Sequence, residues 1–491
     1  MSAAGALAER ILGLRPAYAD ASHLLGLVAI EQGDYTVAER HITRAIEASP
    51  GQSVYYYNLG LALSSCKGPE DALSAYDQAL LLNPDFIEAH INRGLVLFDM
   101  GRHEAALSAC ESAIRLDPGR ADPHYNRGNA LHELGRKEEA LAAYDQALAL
   151  NPSHAGAHNN RGNELRSLGR SEEALAAYDR VLVLDPDNSE AHTNRGNILG
   201  GLGRPEEALA AYDQALVVDP DNAETHKDQG SVLILLGRLQ EASDAFKTAL
   251  KYAPELESAA YLLAAVLAED IPPLSPRTYI EELFNGFADD FDNKLVNKLS
   301  YRVPEQLFDA VCDHTGKQKL TILDLGCGTG LCAVVFAAVI NRMVGVDLAP
   351  RMLDKARERS LYAELIQSDV HCALEKCNEF FDLILAADVF IYIGALEEVF
   401  SLTIDRLTPG GLFAFSVEVS TYGCDFSLGL TGRYTQSTEY IRRLAINNSF
   451  EEVTMNPVTV RYEGDKPVAG YVVVLRRPGN SLVIEETQNR V

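Results

Sequence analysis

From Ala19 to Leu256 the chain divides into seven consecutive units of 34 residues, aligned on its glycines and prolines. No other feature restricts the fold as strongly. A repeat of this length is one supersecondary unit that buries its apolar face only against its neighbours. Gly26, Gly60, Gly94, Gly128, Gly162, Gly196 and Gly230 recur where two helices must approach closely, and Ala38, Ala72, Ala106, Ala140, Ala174, Ala208 and Ala242 recur at the matching point of the second helix. Pro50, Pro84, Pro118, Pro152, Pro186, Pro220 and Pro254 end that second helix, because proline cannot continue the hydrogen-bond ladder. Met1–Tyr18 reads as the second half of an eighth unit, and Glu257–Glu269 as one further capping helix. The expected product is an all-α solenoid over residues 1–270 with a concave groove.

This pattern resembles the tetratricopeptide repeat. Two side-chain series run through it. His90, His124, His158, His192 and His226 share one frame position, but successive repeats stand roughly 10 Å apart, the helix-packing distance. That is far beyond a coordination sphere of about 2 Å, so they read as satisfied packing histidines and no metal is expected. The second series is Asn58, Asn92, Asn126, Asn160 and Asn194, with Asp228 in the seventh unit. In O-glycosyl transferase superhelices of this repeat class such a ladder clasps an extended peptide. The resemblance implies a peptide groove at those five asparagines; the alternative is a polar helix face with no ligand.

Ile271-Pro-Pro-Leu-Ser-Pro276 breaks the helical pattern and marks a linker over 271–278. An amphipathic helix follows from Tyr279, then a second that ends near Tyr301–Pro304. From Lys319 the pattern alternates short apolar strands and helices. Leu320–Leu325, Met343–Val346, Glu364–Ile366, Phe381–Ala386 and Leu412–Val417 read as buried parallel strands, with Val453–Tyr462 and Val468–Arg476 as a closing hairpin. Residues 279–491 therefore read as an α/β, doubly wound, Rossmann-like domain.

Its first strand runs into Asp324-Leu-Gly326-Cys327-Gly328-Thr-Gly330. Glycines there let backbone approach a ligand where a Cβ would clash. The spacing differs from that of dinucleotide folds, which would want glycine at Leu331. Asp347, followed by Leu348, ends the second strand, where a carboxylate can accept ribose hydroxyls. Asp369, followed by Val370, comes after the third strand, and Asp388 after the fourth.

These motifs, with Gly345-Val-Asp347, Ser368-Asp369, Phe381-Asp-Leu-Ile-Leu and Leu407-Thr-Pro-Gly-Gly-Leu412, resemble in order those of class I S-adenosylmethionine-dependent methyltransferases. The whole architecture is similar to a bacterial family of methyltransferases carrying tetratricopeptide repeats. The resemblance implies S-adenosyl-L-methionine as cofactor at Asp324, Gly326, Cys327, Gly328, Gly330, Asp347, Leu348, Asp369, Val370 and Asp388. Cys327 reads as a small packing residue and not as a nucleophile. No catalytic residue stands out: the Asn-Pro-Pro-Tyr signature is absent at Ala387–Tyr392. Tyr392, Glu418, Arg433 and Tyr434 are candidates for the substrate side.

Charge narrows the partners. The formal net charge is -27; residues 1–270 carry 22 Lys+Arg against 40 Asp+Glu, and residues 271–491 carry 21 against 30. Both parts would repel a phosphate backbone, which argues against nucleic acid. Eight cysteines (Cys66, Cys110, Cys312, Cys327, Cys332, Cys372, Cys377 and Cys424) form no Cys-x-x-Cys pair and suit a reducing cytoplasm. The longest apolar run, Cys332–Ile340, is half a membrane span, so no membrane association is expected. The sequence therefore reads as a cytoplasmic methyltransferase whose repeats recruit a protein or peptide. The alternatives are a small-molecule methyltransferase that uses the repeats only for assembly, and an inactive interaction scaffold.

Overall fold

The computed structural model describes residues 3–288, 291–293, 295, 299–315, 319–420, 423–463 and 466–479. Two compact units form, Met1–Arg204 and Pro205–Val491.

The first unit is a tetratricopeptide solenoid of paired helices. One repeat shows why. Helix Lys137–Leu150 is rich in Ala and Leu, the strongest helix formers, and places Glu138 and Glu139 in its first turn, where carboxylates complement the helix dipole. Arg136 holds Glu139 at 2.7 Å just before it. The preceding helix Ala121–Glu133 packs on it through Gly128: a Cβ there would sit 2.4 Å from Tyr144 Cε1. Tyr144 is 1% exposed and donates its hydroxyl to Asn129 Oδ1 at 2.9 Å. Each such buried aromatic contributes roughly 1.5–3 kcal/mol.

The five histidines bond the backbone at the helix ends, mostly in half-buried positions, although the Nδ1 of buried His124 has no partner among the described residues. Each places Nε2 2.8–3.3 Å from the carbonyl oxygen of the proline six residues earlier.

The second unit begins with the helices Pro205–Val218, Ala223–Leu235, Leu239–Tyr252 and Glu257–Leu267. Helix Glu257–Leu267 is more than the cap read from the sequence. Its Tyr261 and Leu262 share one apolar core with Leu233 and Phe246 on one side and Leu428 and Tyr434 on the other. The segment read as a linker is ordered as well. Gly394 and Ala395 both donate their N–H to Pro273 O at 2.9 Å, and Ser275 N–H donates to Tyr392 O at 3.0 Å. Helix Arg277–Phe287 follows; the second helix expected before Tyr301 falls partly on residues outside those described, 294 and 296–298.

The sheet comprises β1 (Leu320–Leu325), β2 (Ile340–Asp347), β3 (Glu364–Gln367), β4 (Phe381–Ala386), β5 (Leu407–Glu418), β8 (Glu451–Glu463) and β9 (Lys466–Arg476), with β6 (Phe426–Leu428) and β7 (Tyr434–Gln436) forming a separate hairpin. Its order is β3-β2-β1-β4-β5-β9-β8. The first five strands are parallel and β9 pairs antiparallel to β5. β5 and β8 are longer than read, and the β6–β7 hairpin carries no strand pattern of its own in the sequence. Phe390, Phe400, Phe413, Phe415 and Phe450 fill one face of the sheet. Chain order reverses between β1 and β4, and in sheets of this kind ligands bind outside the strand ends at such a switch point.

Candidate functional site

The loop after β1 turns through Gly326 and Gly328 at φ +64° and +54°, left-handed values that favour glycine. A Cβ on Gly326 would stand 2.5 Å from Val389 Cγ2, on the loop after β4, whereas one on Gly328 would meet only Phe291 at 3.9 Å. At the end of β2, Asp347 accepts the Gly328 N–H at 2.8 Å through Oδ2 and the Ala349 N–H at 2.9 Å through Oδ1. Burial raises its pKa against those bonds. The Leu348 amide adds to them, and of about four lone-pair sites on the carboxylate one is left for a further donor.

These loops open onto a cavity of about 410 Å³, within the range of small-molecule sites. Of the residues singled out in the sequence, Gly326, Cys327, Gly328, Asp347, Leu348, Asp369, Val370, Asp388, Tyr392 and Arg433 line it. Asp324, Gly330, Glu418 and Tyr434 are not among its lining residues. Asp324 is 1% exposed and accepts the Tyr362 hydroxyl at 2.7 Å behind the loop. Gly330 faces Tyr362 and Arg359. Tyr434 is buried, its hydroxyl donating to Pro272 O at 2.8 Å. Asp369 caps helix Val370–Lys376 by accepting the Cys372 N–H at 2.8 Å; burial opposes its ionisation, but the Cys372 bonds prevail and its pKa is lowered. Cys327 is buried against Gly345, where a Cβ would meet its sulfur at 2.9 Å.

Residues 322–411 match a family described as a methyltransferase domain, and tetratricopeptide repeat families match residues 1–53, 54–86, 85–153, 125–189, 189–222 and 228–256. This is a tetratricopeptide-repeat protein with a C-terminal methyltransferase domain. Trans-aconitate 2-methyltransferase of Paracidovorax citrulli is 34% identical over 100 residues, 20% of this chain and 38% of that protein. Malonyl-[acyl-carrier protein] O-methyltransferase of Serratia marcescens is 31% identical over 120 residues, covering 23% and 43%. Ubiquinone biosynthesis O-methyltransferase of a Methylobacterium species is 27% identical over 135 residues, covering 25% and 54%. The chain thus spans 38 to 54% of the length of these relatives. Among solved structures, YrrB, a tetratricopeptide repeat protein with an unusual peptide-binding site, is 29% identical, covering 38% of this chain and 95% of that one at a TM-score of 0.34. MamA is 25% identical, covering 34% and 97% at 0.33.

At the β4–β5 end of the cavity lies a charge cluster. Arg461, on β8, is 4% exposed and pairs with Glu418 at 2.7 Å and Glu463 at 3.0 Å, with Asp388 at 3.9 Å. Arg433 pairs with Glu463 at 2.7 Å. Tyr392 stands beside Arg433; burial raises its pKa and Arg433 opposes this. Arg461 was not legible in the sequence, because a single arginine in an alternating strand reads as a solvated position. Nor was the strap across the opposite rim. Asp292 there accepts from Thr329 and Arg359, and Arg351 donates to Asn285 O at 2.7 Å.

The repeat asparagines in this protein are largely engaged with the preceding repeat. Asn58 bonds His23 Nε2 at 2.8 Å, and Asn92 donates to the Tyr57 hydroxyl at 3.1 Å. Asn160 donates to Asn129 Oδ1 at 2.9 Å and to the Tyr125 hydroxyl at 3.3 Å. Asn194 accepts from Arg166 at 3.4 Å, and Asn126 is half-buried. Asn160 lines a small hollow of about 200 Å³ with Asn129 and Asn163.

Proposed function

We propose that this protein is an S-adenosyl-L-methionine-dependent methyltransferase whose repeats, residues 1–270, recruit a protein or peptide to the domain at 279–491. The observation that carries the cofactor reading is Asp347. Its carboxylate is pinned by the Gly328 and Ala349 amides at the rim of the cavity, with accepting capacity left for a ribose hydroxyl. The open space beside Gly328 suits a close ligand, and Asp369 and Val370 on the same rim suit an adenine. When bound, the cofactor supplies an electrophilic methyl on a sulfonium. Phe284, Leu299 and Tyr301 line the cavity from the other side and exclude water from the reacting centre.

All eight cysteines are free thiols, which supports a reducing, cytoplasmic setting. Among the described residues no helix is long and apolar enough to cross a membrane. A small-molecule acceptor is the second reading, favoured by the apolar lining of the cavity and by the relatives named for trans-aconitate and ubiquinone biosynthesis. Calorimetric titration of the full chain with S-adenosylmethionine and S-adenosylhomocysteine tests the cofactor reading; absence of heat for both overturns it. Labelled-methyl transfer into a lysate separated into macromolecules and metabolites decides between the two acceptors.

A further inference from the structure

We propose that Asp388 takes the proton that the methyl acceptor must lose, and that the acceptor is an uncharged protic nucleophile, an alcohol, phenol or amine, and not a carboxylate. This rests on the cofactor reading above.

Three observations carry it. The first is position. β4 pairs with β1 through Asp324 and Leu385, and Val389 packs directly on Gly326. Asp388 therefore lines the cavity at the switch point itself.

The second is its support. Asp388 holds φ +54°, a conformation that non-glycine residues seldom adopt and that clusters at functional sites. Ser416 fixes it twice, its Oγ accepting the Asp388 N–H at 2.8 Å and donating to Oδ1 at 2.9 Å. Oδ2 stands 3.9 Å from Arg461, beyond hydrogen-bond range, and is left to accept a proton.

The third is the state of the surrounding charges. Arg461 is engaged by Glu418 and Glu463, Arg433 by Glu463, and Arg277 by Glu281 at 2.7 Å. At this end Asp388, Arg433 and Arg461 line the cavity, while Glu418 and Glu463, outside the lining, hold the two guanidiniums. Asp388 Oδ2 is thus the lining carboxylate oxygen open to a proton, which an acceptor that carries one needs and a carboxylate acceptor does not. Tyr301 and Cys332 also face Asp388, while His371 lies beside Asp369 at the other end. Burial pushes Asp388 up to about 6; Arg461 and Ser416 oppose this and Glu418 adds to it. A carboxylate so placed is ionised near neutral pH yet basic enough to hold a proton.

In the reaction the acceptor's lone pair forms the bond to the methyl carbon. The sulfur–carbon pair stays on sulfur, which becomes a neutral thioether, and the O–H or N–H proton passes to Asp388 Oδ2. Three neutral species result from a cation, an anion and a neutral acceptor.

The test compares the affinities of the full chain for S-adenosylmethionine, a cation at sulfur, and S-adenosylhomocysteine, neutral there, between pH 5 and pH 8. The ratio should shift about tenfold toward the neutral ligand as pH falls through 6, and Asp388→Asn should make it independent of pH. If that variant does not fold, Ser416→Ala decides: it removes the bonds that favour ionised Asp388 and should move the midpoint of the ratio to higher pH, which titration of Asp324 would not do. A flat wild-type ratio with both ligands bound overturns the proposal, while no binding of either overturns the cofactor reading instead. Labelled methyl transferred to lysate acceptors should resist mild base; release as volatile methanol would identify an ester, hence a carboxylate acceptor, and overturn the acceptor class.

Discussion

The Tyr261 hydroxyl donates to the Gly432 carbonyl at 3.0 Å, across 171 residues of sequence, and in turn accepts from Ser275 Oγ at 2.7 Å. Tyr261 lies on the last repeat-side helix, Ser275 in the Pro-rich segment 271–276, and Gly432 in the β6–β7 turn immediately before Arg433. Gly432 holds φ +69° and a Cβ there would come within 2.5 Å of the Tyr279 hydroxyl. The hairpin that presents Arg433 to the cavity is thus seated on repeat helices, and Gln436 ties its far strand to the Phe390 and Ile393 carbonyls at 2.8 and 2.9 Å.

A fragment starting at Leu274 should therefore fold poorly, because it exposes the core that Leu428 and Tyr434 share with Tyr261, Leu262 and Phe246. A fragment starting at Pro205 should fold and bind S-adenosylhomocysteine as the full chain does. Tyr261→Phe strands the buried Gly432 carbonyl and should cost about 1–3 kcal/mol; Tyr261→Ala adds a cavity and should cost about 3–5 kcal/mol. Denaturant midpoints of the Pro205 fragment measure both. Equal stability of the fragment from Leu274 would show the contact to be incidental.

Much of this was legible in the sequence. The 34-residue period fixed the helix pairs, since glycine, alanine and proline recur for steric reasons that act within one unit. β1 and β4 were read to the residue, because strands buried on both faces are continuous apolar runs. What was not legible shares a cause. Asp324, Gly330 and Tyr434 do not line the cavity, and their surroundings come from partners far away in sequence: Tyr362 for Asp324, Arg359 and Tyr362 for Gly330, Pro272 for Tyr434. The ionic partners of Arg461 and the seating of helix Glu257–Leu267 are likewise set by tertiary contacts that leave no local pattern.

Asp347→Asn should weaken binding of S-adenosylmethionine and S-adenosylhomocysteine alike, by about 1.5–3 kcal/mol for the loss of charge-assisted hydrogen bonds, or roughly ten- to a hundredfold. NAD should compete poorly, given the glycine spacing. Unchanged titration isotherms would place the cofactor elsewhere.

Asn160→Ala removes bonds to Asn129 and to the Tyr125 hydroxyl, so it should lower the stability of a Met1–Arg204 fragment by about 1 kcal/mol before any effect on a ligand. The groove reading then requires a control. Alanine at Asn92, Asn126, Asn160 and Asn194 should abolish partner capture under conditions where circular dichroism still shows full helix, and capture should weaken with salt because exposed charges are screened beyond about 8 Å. Full capture by the folded quadruple variant would reduce the ladder to packing between repeats.

Stability of the second unit should fall as pH rises, and Asp324 should be the main reason. It is buried at the end of β1 with one oxygen accepting from Tyr362 and the other, Oδ1, without a partner. Burial pushes its pKa up to about 7, the Tyr362 bond opposing and Asp347 adding to the rise. An unfolded aspartate titrates near 3.9. Between those values the folded state binds the extra proton, so the contribution is full below about pH 4 and is lost as pH rises through about 7. Asp388, pushed up to about 6, adds the same sign over a narrower window. Asp324→Asn cannot titrate, so its stability relative to wild type should improve between pH 4 and 8 by up to ~4 kcal/mol, at about 1.4 kcal/mol per unit. Any fixed cost of the amide shifts that comparison without changing its slope. Tyr362→Phe removes the one donor that favours the ionised form and should move the wild-type midpoint to higher pH. Urea midpoints of the Pro205 fragment at pH 5, 6.5 and 8 measure all three proteins. Parallel profiles for wild type and Asp324→Asn would mean that Asp324 is ionised throughout, with a counter-charge or water reaching Oδ1.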